Sequence, residues 1–230
     1  LGENPYRSFW SNYERMGGYI SLLHLGAYFL VLISFLKNKT DWFWLANTAI
    51  IANWFIAIYS VLQLAGKIDI HQGGVRLDAT LGNATYLAVY VLFGIFISLY
   101  LWSQVKNNGL RILYGLTALI DLFLLYNTAT RGTILGLIAG LFVFAGLIVL
   151  RGEKKHKQWA GGVIIAIVIL IGGFLLLKDS SFIKNSPVLS RFANISVTET
   201  TTQSRFLIWN MSLRGAMEHP LLGWGPENYQ

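Results

Sequence analysis

Two arginines stand beside residues that commonly begin helices. Arg76 comes shortly before Asn83, and Arg131 follows Thr128 and Thr130 in the sequence TATRGT. Asn and Thr are frequent N-caps, and a helix N-terminus favours an anion through its free amides and its dipole. The planar guanidinium of arginine adds a pair of donors that fits phosphate oxygens. Together the two positions predict a site that matches the charge of a pyrophosphate, although a lone arginine at a span end can also be a snorkelling anchor.

A second polar group lies near the end of the sequence, in QSRFLIWNMSLRGAMEHPLLGWGPENY. Its apolar residues recur at helical spacing, which predicts an amphipathic helix over about 203–218. This helix carries Arg205 and Arg214. Pro220 disfavours a helical conformation at His219, so the helix should end there, with an imidazole held at its end.

The N-terminal segment PYRSFWSNYERMGGY contains Arg7 and Arg15 among aromatic side chains. One interpretation is an interfacial segment whose aromatic rings anchor it at the membrane surface. The alternative makes the two arginines part of a phosphate or sugar site. Nothing in the spacing of these residues decides between the two interpretations.

Few other side chains suggest chemistry. Asp69, His71 and Asp78 could be metal ligands, but an Asp-x-His pair with one further Asp is a weak pattern, so we predict no metal site. The sequence has no cysteine, which excludes disulfides and thiolate metal sites. Asp121 lies inside an apolar stretch, where an ionisable group needs a partner. It could orient Arg131 or form a structural hydrogen bond.

The composition is that of a membrane protein. Hydrophobic residues make up 54% and charged residues 13% of the 230 residues, and the mean hydropathy is +0.52. These values lie outside the range of ordinary soluble domains. The net charge of +7 does not indicate nucleic-acid binding, because the charges sit in short segments between apolar runs. Membrane lipids are therefore the expected surroundings.

Six apolar runs are long enough to cross a hydrocarbon core of about 30 Å. They predict an all-α fold, a polytopic transmembrane helix bundle over residues 1–177, with spans over about 19–36, 42–64, 85–102, 110–126, 133–150 and 160–177. Residues 178–230 are expected to form an extracytoplasmic loop that contains the amphipathic helix, with little regular structure over 179–204. The sequence begins without methionine and stops within a motif, so we expect a fragment of a longer protein.

Loop charge predicts the orientation of the bundle. Lysine and arginine are denser in the loops at 37–41, 103–111 and 151–159 than in the segments at 1–18, 65–83 and 127–132. The positive-inside rule makes the denser side cytoplasmic. All the arginines named above then lie on the outer face. Transporters instead tend to bind their substrates near the middle of the membrane, on broken helices.

Three of these segments resemble those of the O-antigen ligase and O-antigen polymerase family, which includes bacterial protein O-oligosaccharyltransferases. They are RLDATLGNATYLA, TATRGTILGLIAG and SRFLIWNMSLRGAMEHPLLGWGPENY, in the family's order. Ala84 stands where the family usually has proline. The resemblance implies a glycosyltransferase of the bacterial cytoplasmic membrane, as in lipopolysaccharide biosynthesis. Such an enzyme moves a glycan from an undecaprenyl-diphosphate carrier to a glycan, lipid or protein acceptor on the outer face.

The resemblance also implies roles for individual residues. Arginines of the family bind the diphosphate, and a histidine of the large outer loop acts near the acceptor, where it would serve as a general base. Carried over by motif, these residues are Arg76, Arg131, Arg205 and His219, of which His219 and Arg205 are expected to be catalytic. Weaker candidates for substrate binding are Arg7, Arg15 and Arg214. No metal or cofactor is implied, since arginines can neutralise a leaving diphosphate.

Three alternatives stay open. A polymerase of the same family would use a second lipid-linked glycan as its acceptor, and no residue of the sequence separates it from a ligase. A transporter of lipid-linked oligosaccharides would bind the same anion without transferring the glycan. The ring of His219 could also be no more than a helix-stop group that hydrogen-bonds a neighbouring carbonyl.

Overall fold

The computed structural model describes residues 3–12, 17–71, 74–193, 200–221 and 223–228. It is 78% helical, and no β-strand occurs within these ranges, which confirms the predicted all-α class. In chain order the helices are α1 (Pro5–Trp10), α2 (Tyr19–Phe35), α3 (Lys39–Leu64), α4 (Ala84–Gln104), α5 (Asn108–Asn127), α6 (Arg131–Arg151), α7 (Lys154–Leu177), α8 (Ser181–Asn185), α9 (Leu189–Ala193) and α10 (Thr200–Glu218). A 3₁₀ turn at Ala79–Leu81 precedes α4.

Five helices among the described residues, α3 to α7, are long and apolar enough to cross a membrane. Each of them covers one predicted span and extends beyond it. The first predicted span coincides with α2, a shorter apolar helix of 17 residues. At a rise of about 1.5 Å per residue it reaches roughly 25 Å, less than a hydrocarbon core of about 30 Å.

Asparagine side chains set the starts of two spans. Oδ1 of Asn83 accepts a hydrogen bond from the Thr85 amide at 2.8 Å, at the beginning of α4. Oδ1 of Asn107 accepts one from the Leu110 amide at 3.2 Å, at the beginning of α5. The first amides of a helix have no partner within the helix, so these caps fix where each span begins.

Two compact units make up the chain. The first unit consists of residues 1–42 and 196–230, and the second consists of residues 43–195. Helix α3 begins in the first unit and continues in the second. Within the second unit, α4 and α5 pack against each other along their lengths, and α6 and α7 form another packed pair.

The core of the second unit combines apolar packing with buried hydrogen bonds. Leu87 and Val91 of α4 pack with Leu124 and Leu125 of α5. Three hydrogen-bonded pairs join α3 to α5: Asn47–Tyr114 (2.6 Å), Trp54–Thr117 (3.1 Å) and Asn53–Asp121 (2.8 and 2.9 Å). In lipid no water competes for these groups, so such pairs hold helices together. Asp121 therefore forms a structural hydrogen bond and does not orient an arginine.

The segment after α7 has more regular structure than the sequence predicts. The expected loop over 179–204 contains α8, α9 and the start of α10. Ile183 and Val188 bury their side chains, and Phe192 of α9 packs edge-on against Phe174 of α7, with ring centroids 6.5 Å apart. Helices this short are stable only through such tertiary contacts, which a local pattern does not reveal.

Candidate functional site

Arg76 lies in the loop before α4 and is held by the turn between α5 and α6. Its Nε donates a hydrogen bond to the Thr128 carbonyl at 3.1 Å, and its Nη2 donates one to Thr130 Oγ1 at 3.1 Å. Its guanidinium is half-buried and retains further N–H donors for a ligand. The two arginine segments found in the sequence are therefore neighbours in the fold, since Arg131 follows this turn directly.

The turn that holds Arg76 has a fixed backbone. Thr128 and Ala129 are fully buried, and Thr128 Oγ1 donates a hydrogen bond to the Leu125 carbonyl at 2.7 Å. The same oxygen accepts one from the Thr130 amide at 3.3 Å. Ala129 has φ +49°, in the left-handed region, which costs a residue with a Cβ about 1–2 kcal/mol. A strained residue in a hydrogen-bonded turn indicates that the surrounding packing determines its conformation.

Gln63, near the end of α3, fixes the loop before α4. Its Nε2 donates hydrogen bonds to Asp78 Oδ1 at 2.8 Å and to the Asp69 carbonyl at 2.9 Å, and its Oε1 accepts one from the Ala79 amide at 2.9 Å. His71 Nδ1 lies 3.4 Å from the same Asp78 oxygen. The Asp78 carboxylate is thus an anchor of the loop.

Among the described residues, no group of three or more His, Cys, Asp or Glu side chains could hold a metal ion.

Arg131 is the first residue of α6, and its Nη1 donates a hydrogen bond to the Arg191 carbonyl at 3.2 Å. Thr130 stands at the N-cap, but its side chain makes no hydrogen bond with the α6 amides, all of which are described. Its hydroxyl instead accepts from Arg76 and lies 3.3 Å from the Ala84 carbonyl. The start of α6 is therefore uncapped by Thr130, and it favours an anion beside Arg131.

Three arginines approach one another in the second unit, and Arg191 is the third. Partial burial, followed by the positive charges of Arg191 and Arg131, lowers the pKa of the Arg76 guanidinium from its ordinary value. Neither Arg76 nor Arg191 forms an ion pair with a carboxylate in the described part of the chain. Neighbouring cations repel one another unless an anion neutralises them. The arrangement therefore suits a ligand with several negative charges.

Sequence reasoning did not find Arg191. It lies in α9, within PVLSRFAN, a stretch without the glycine or capping pattern that accompanies Arg131. One signal was available: Arg191 follows the last predicted span, and the loop charges predict that this segment lies on the same face as the other arginines.

The other candidate residues belong to the first unit. Arg205 and Arg214 are exposed on α10, and Arg7 is half-buried in α1. Arg15 lies outside the described residues. The structure thus brings Arg76 and Arg131 together within the second unit, and their partner there is an arginine that no motif indicated.

His219 follows α10 directly, as Pro220 predicts. Its ring meets the Trp224 ring nearly edge-on, with centroids 4.2 Å apart and an interplanar angle of 70°. Trp224 Nε1 donates a hydrogen bond to the Gly215 carbonyl at 2.9 Å, and the Gly223 amide donates one to the His219 carbonyl at 3.0 Å. The glycine turn therefore folds back onto the end of α10, while the His219 side chain stays exposed.

The C-terminal half of the chain matches a known protein family. The family model described as O-antigen ligase covers residues 116–230, which is half of the 230 residues. The chain belongs to the O-antigen ligase family. This confirms the resemblance that the sequence motifs carry. No curated protein and no solved structure matches the chain.

Membership of the O-antigen ligase family, together with the long apolar helices, indicates a multi-pass membrane protein. It also implies an enzyme activity of the glycosyltransferase kind, of the O-antigen ligase or polymerase type. The matched segment includes Arg131, Arg191, Arg205 and His219. Arg76 precedes that segment. It is linked to the segment by its hydrogen bonds to Thr128 and Thr130, in the turn between α5 and α6.

Proposed function

We propose that this O-antigen ligase-family protein transfers a glycan from an undecaprenyl-diphosphate carrier to an acceptor on the outer face of the bacterial cytoplasmic membrane. The observation that carries the proposal is the approach of Arg76 and Arg131 at the start of α6. Two guanidinium groups beside a helix N-terminus that the Thr130 side chain does not cap suit a diphosphate, because guanidinium groups and helix amides both bind phosphate oxygens through N–H donors. The loop charges described above support the outer location.

The arginines act on the leaving group. The acceptor oxygen forms a bond to the anomeric carbon, and the bond between that carbon and the diphosphate oxygen breaks. The lipid diphosphate leaves with the electron pair, so its negative charge grows during the step. Arg76, Arg131 and Arg205 stabilise this charge through charge-assisted hydrogen bonds. Charge stabilisation of this kind does not require a divalent metal ion.

His219 is the proposed general base. The acceptor hydroxyl loses its proton as it attacks, and an imidazole can take up that proton near neutral pH. The ring of His219 is exposed, and its contact with Trp224 restrains it without burying it, which supports this role. Arg7, Arg15 and Arg214 are proposed as additional substrate-binding residues.

A transfer assay with the purified chain in detergent and a lipid-diphosphate-linked glycan tests the proposal. Arg76→Ala and Arg131→Ala should each lower kcat/KM by about 10²–10³-fold, as the loss of one charge-stabilising donor does. His219→Ala should lower kcat by about 10²–10⁴-fold, as the loss of a general base does. The matched control is Arg151→Ala, an exposed arginine at the opposite end of α6, which should leave the rate unchanged. Normal rates in both Arg131→Ala and His219→Ala would contradict the site assignment.

Two further measurements address the alternatives. Chelation with EDTA should leave the rate unchanged if the arginines supply the positive charge that the leaving group needs. Product formed on a second lipid-linked glycan indicates a polymerase, and product formed on a lipid or protein acceptor indicates a ligase. Movement of the lipid-linked glycan across vesicles without any glycan transfer would instead indicate a transporter.

A further inference from the structure

Arg191 is carried by a short helix that the second unit holds in place. The ring of Phe192, the next residue, contacts Phe174 of α7 with centroids 6.5 Å apart. At the start of α9, Ser186 Oγ accepts a hydrogen bond from the Leu189 amide at 3.2 Å. The backbone at Arg191 is therefore positioned by one tertiary contact, between Phe192 and Phe174, and by a local cap at the start of α9.

No carboxylate of the described residues pairs with the charge of Arg191. Its Nε is buried and has no hydrogen-bond partner within the described residues. Its carbonyl oxygen accepts the hydrogen bond from Arg131 Nη1, so the guanidinium of Arg131 lies against the backbone of α9. Arg191 also acts electrostatically on Arg76. A buried donor without an acceptor, beside two other cations, is unfavourable unless an anion completes the arrangement.

We propose that Arg191 binds the diphosphate of the lipid carrier and completes a three-arginine site with Arg76 and Arg131. The inference rests on the proposed function and adds a binding residue that none of the three sequence motifs contains. The side chains come from three elements: the loop before α4, the start of α6, and α9. Each guanidinium can bind two oxygens, and a diphosphate offers oxygens on two phosphorus atoms. The third arginine therefore favours a diphosphate over a monophosphate.

Binding of farnesyl diphosphate to the full chain in detergent micelles, measured by calorimetry, tests this inference, with farnesyl monophosphate as the comparison ligand. Arg191→Met keeps an unbranched stem and should weaken diphosphate binding by about 10- to 100-fold, as the loss of charged hydrogen bonds does. It should also reduce the preference for diphosphate over monophosphate. Arg191→Lys keeps the charge but loses the planar guanidinium that can bind two oxygens at once. Its loss of diphosphate affinity should therefore be smaller than that of Arg191→Met. The matched control is Lys184→Ala, an exposed cation on α8 that pairs with Asp179 and should not change the affinity.

The melting temperature of each ligand-free variant checks that it folds. Arg191→Met should melt at or above the wild-type temperature, because it removes a partly buried cation that no carboxylate of the described residues neutralises. Wild-type affinity and preference in Arg191→Met would overturn the inference. If Arg76→Ala and Arg131→Ala still weaken binding in that case, the proposed function stands and only the role of Arg191 fails. If all three variants bind like the wild type, the diphosphate site itself fails. Should Arg191→Met not fold, unchanged affinity and preference in Arg191→Lys overturn the inference.

Discussion

The hydrogen-bonded pair of Asn53 and Asp121 should hold α3 against α5 inside the membrane. Asn53 Nδ2 lies 2.8 and 2.9 Å from the two carboxyl oxygens, and the two residues are 2% and 0% exposed. Asn53→Leu and Asp121→Leu each introduce an apolar side chain of similar size, and the double variant removes both polar groups. These variants and the wild type form a double-mutant cycle, which measures the coupling between the two side chains.

The two single replacements should differ in cost. Asn53→Leu leaves a buried carboxyl without either hydrogen bond, which should lower the free energy of unfolding by about 3 kcal/mol or more. Asp121→Leu leaves a neutral amide without its acceptor, at a cost of about 1–3 kcal/mol. The double variant removes both polar groups and leaves neither of them buried without a hydrogen bond. Its loss of unfolding free energy should therefore be smaller than the sum of the two single losses. Hydrogen bonds in membrane proteins couple by about 0.6 kcal/mol on average and up to about 1.7 kcal/mol. Two bonds to one carboxyl therefore predict a coupling of at least about 1 kcal/mol.

Reversible unfolding in mixed micelles, followed by circular dichroism, gives the four free energies. A control cycle combines Asn47→Leu with Asp121→Leu, because Asn47 bonds Tyr114 and shares no described hydrogen-bond partner with Asp121. Its effects should add within about 0.5 kcal/mol. Additive effects in the Asn53–Asp121 cycle as well would refute the conclusion that this pair joins the two helices.

Three further perturbations have defined outcomes. Gly94→Ala should cost about 1–3 kcal/mol in the same unfolding assay, because its Cβ would overlap the Asp121 carboxyl group. Gly115→Ala, whose Cβ would meet no described atom within 4 Å, should be neutral or stabilising, and equal costs would contradict the reasoning. Gln63→Leu should speed hydrogen exchange in the loop before α4 and weaken diphosphate binding, because it removes three hydrogen bonds that hold this loop. Undiminished protection of the loop would rule out that role. Trp224→Phe should speed exchange at the end of α10 about fivefold, since it removes one hydrogen bond of about 1 kcal/mol. An unchanged rate would show that the indole N–H does not hold the turn.

The apolar runs predict the long helices α3 to α7, because a chain in lipid must satisfy its backbone hydrogen bonds internally. Helices α3 to α7 each cover a predicted span. Their ends extend further, most clearly in α7, which begins at Lys154 although the apolar run begins near Ala160. Charged side chains do not interrupt a helix that leaves the hydrocarbon core, so hydropathy marks the core-crossing part and not the whole helix.

Local sequence also indicates Arg76 and Arg131 as candidate anion-binding residues, because a capping residue and a nearby arginine lie within a few positions of each other in the sequence. The proximity of these two arginines in the fold could not be predicted from such local patterns. The hydrogen bond from Arg76 to the Thr128 carbonyl joins residues 52 positions apart. Predicted topology placed the two arginines on one face, and only the packing of the loop onto the turn made them neighbours.

Tertiary structure alone decided which polar groups meet. A hydrogen bond joins Arg131 to the Arg191 carbonyl, 60 positions away in the sequence. Another joins Asn53 to Asp121, 68 positions away. Hydrophobic periodicity and capping act over one or two helical turns, so the sequence determines which segments become helices and where a cationic end can form. The partner of a buried polar side chain depends on how separate helices pack. That packing depends on many small contacts between segments that are distant in the chain, so no local sequence pattern predicts it.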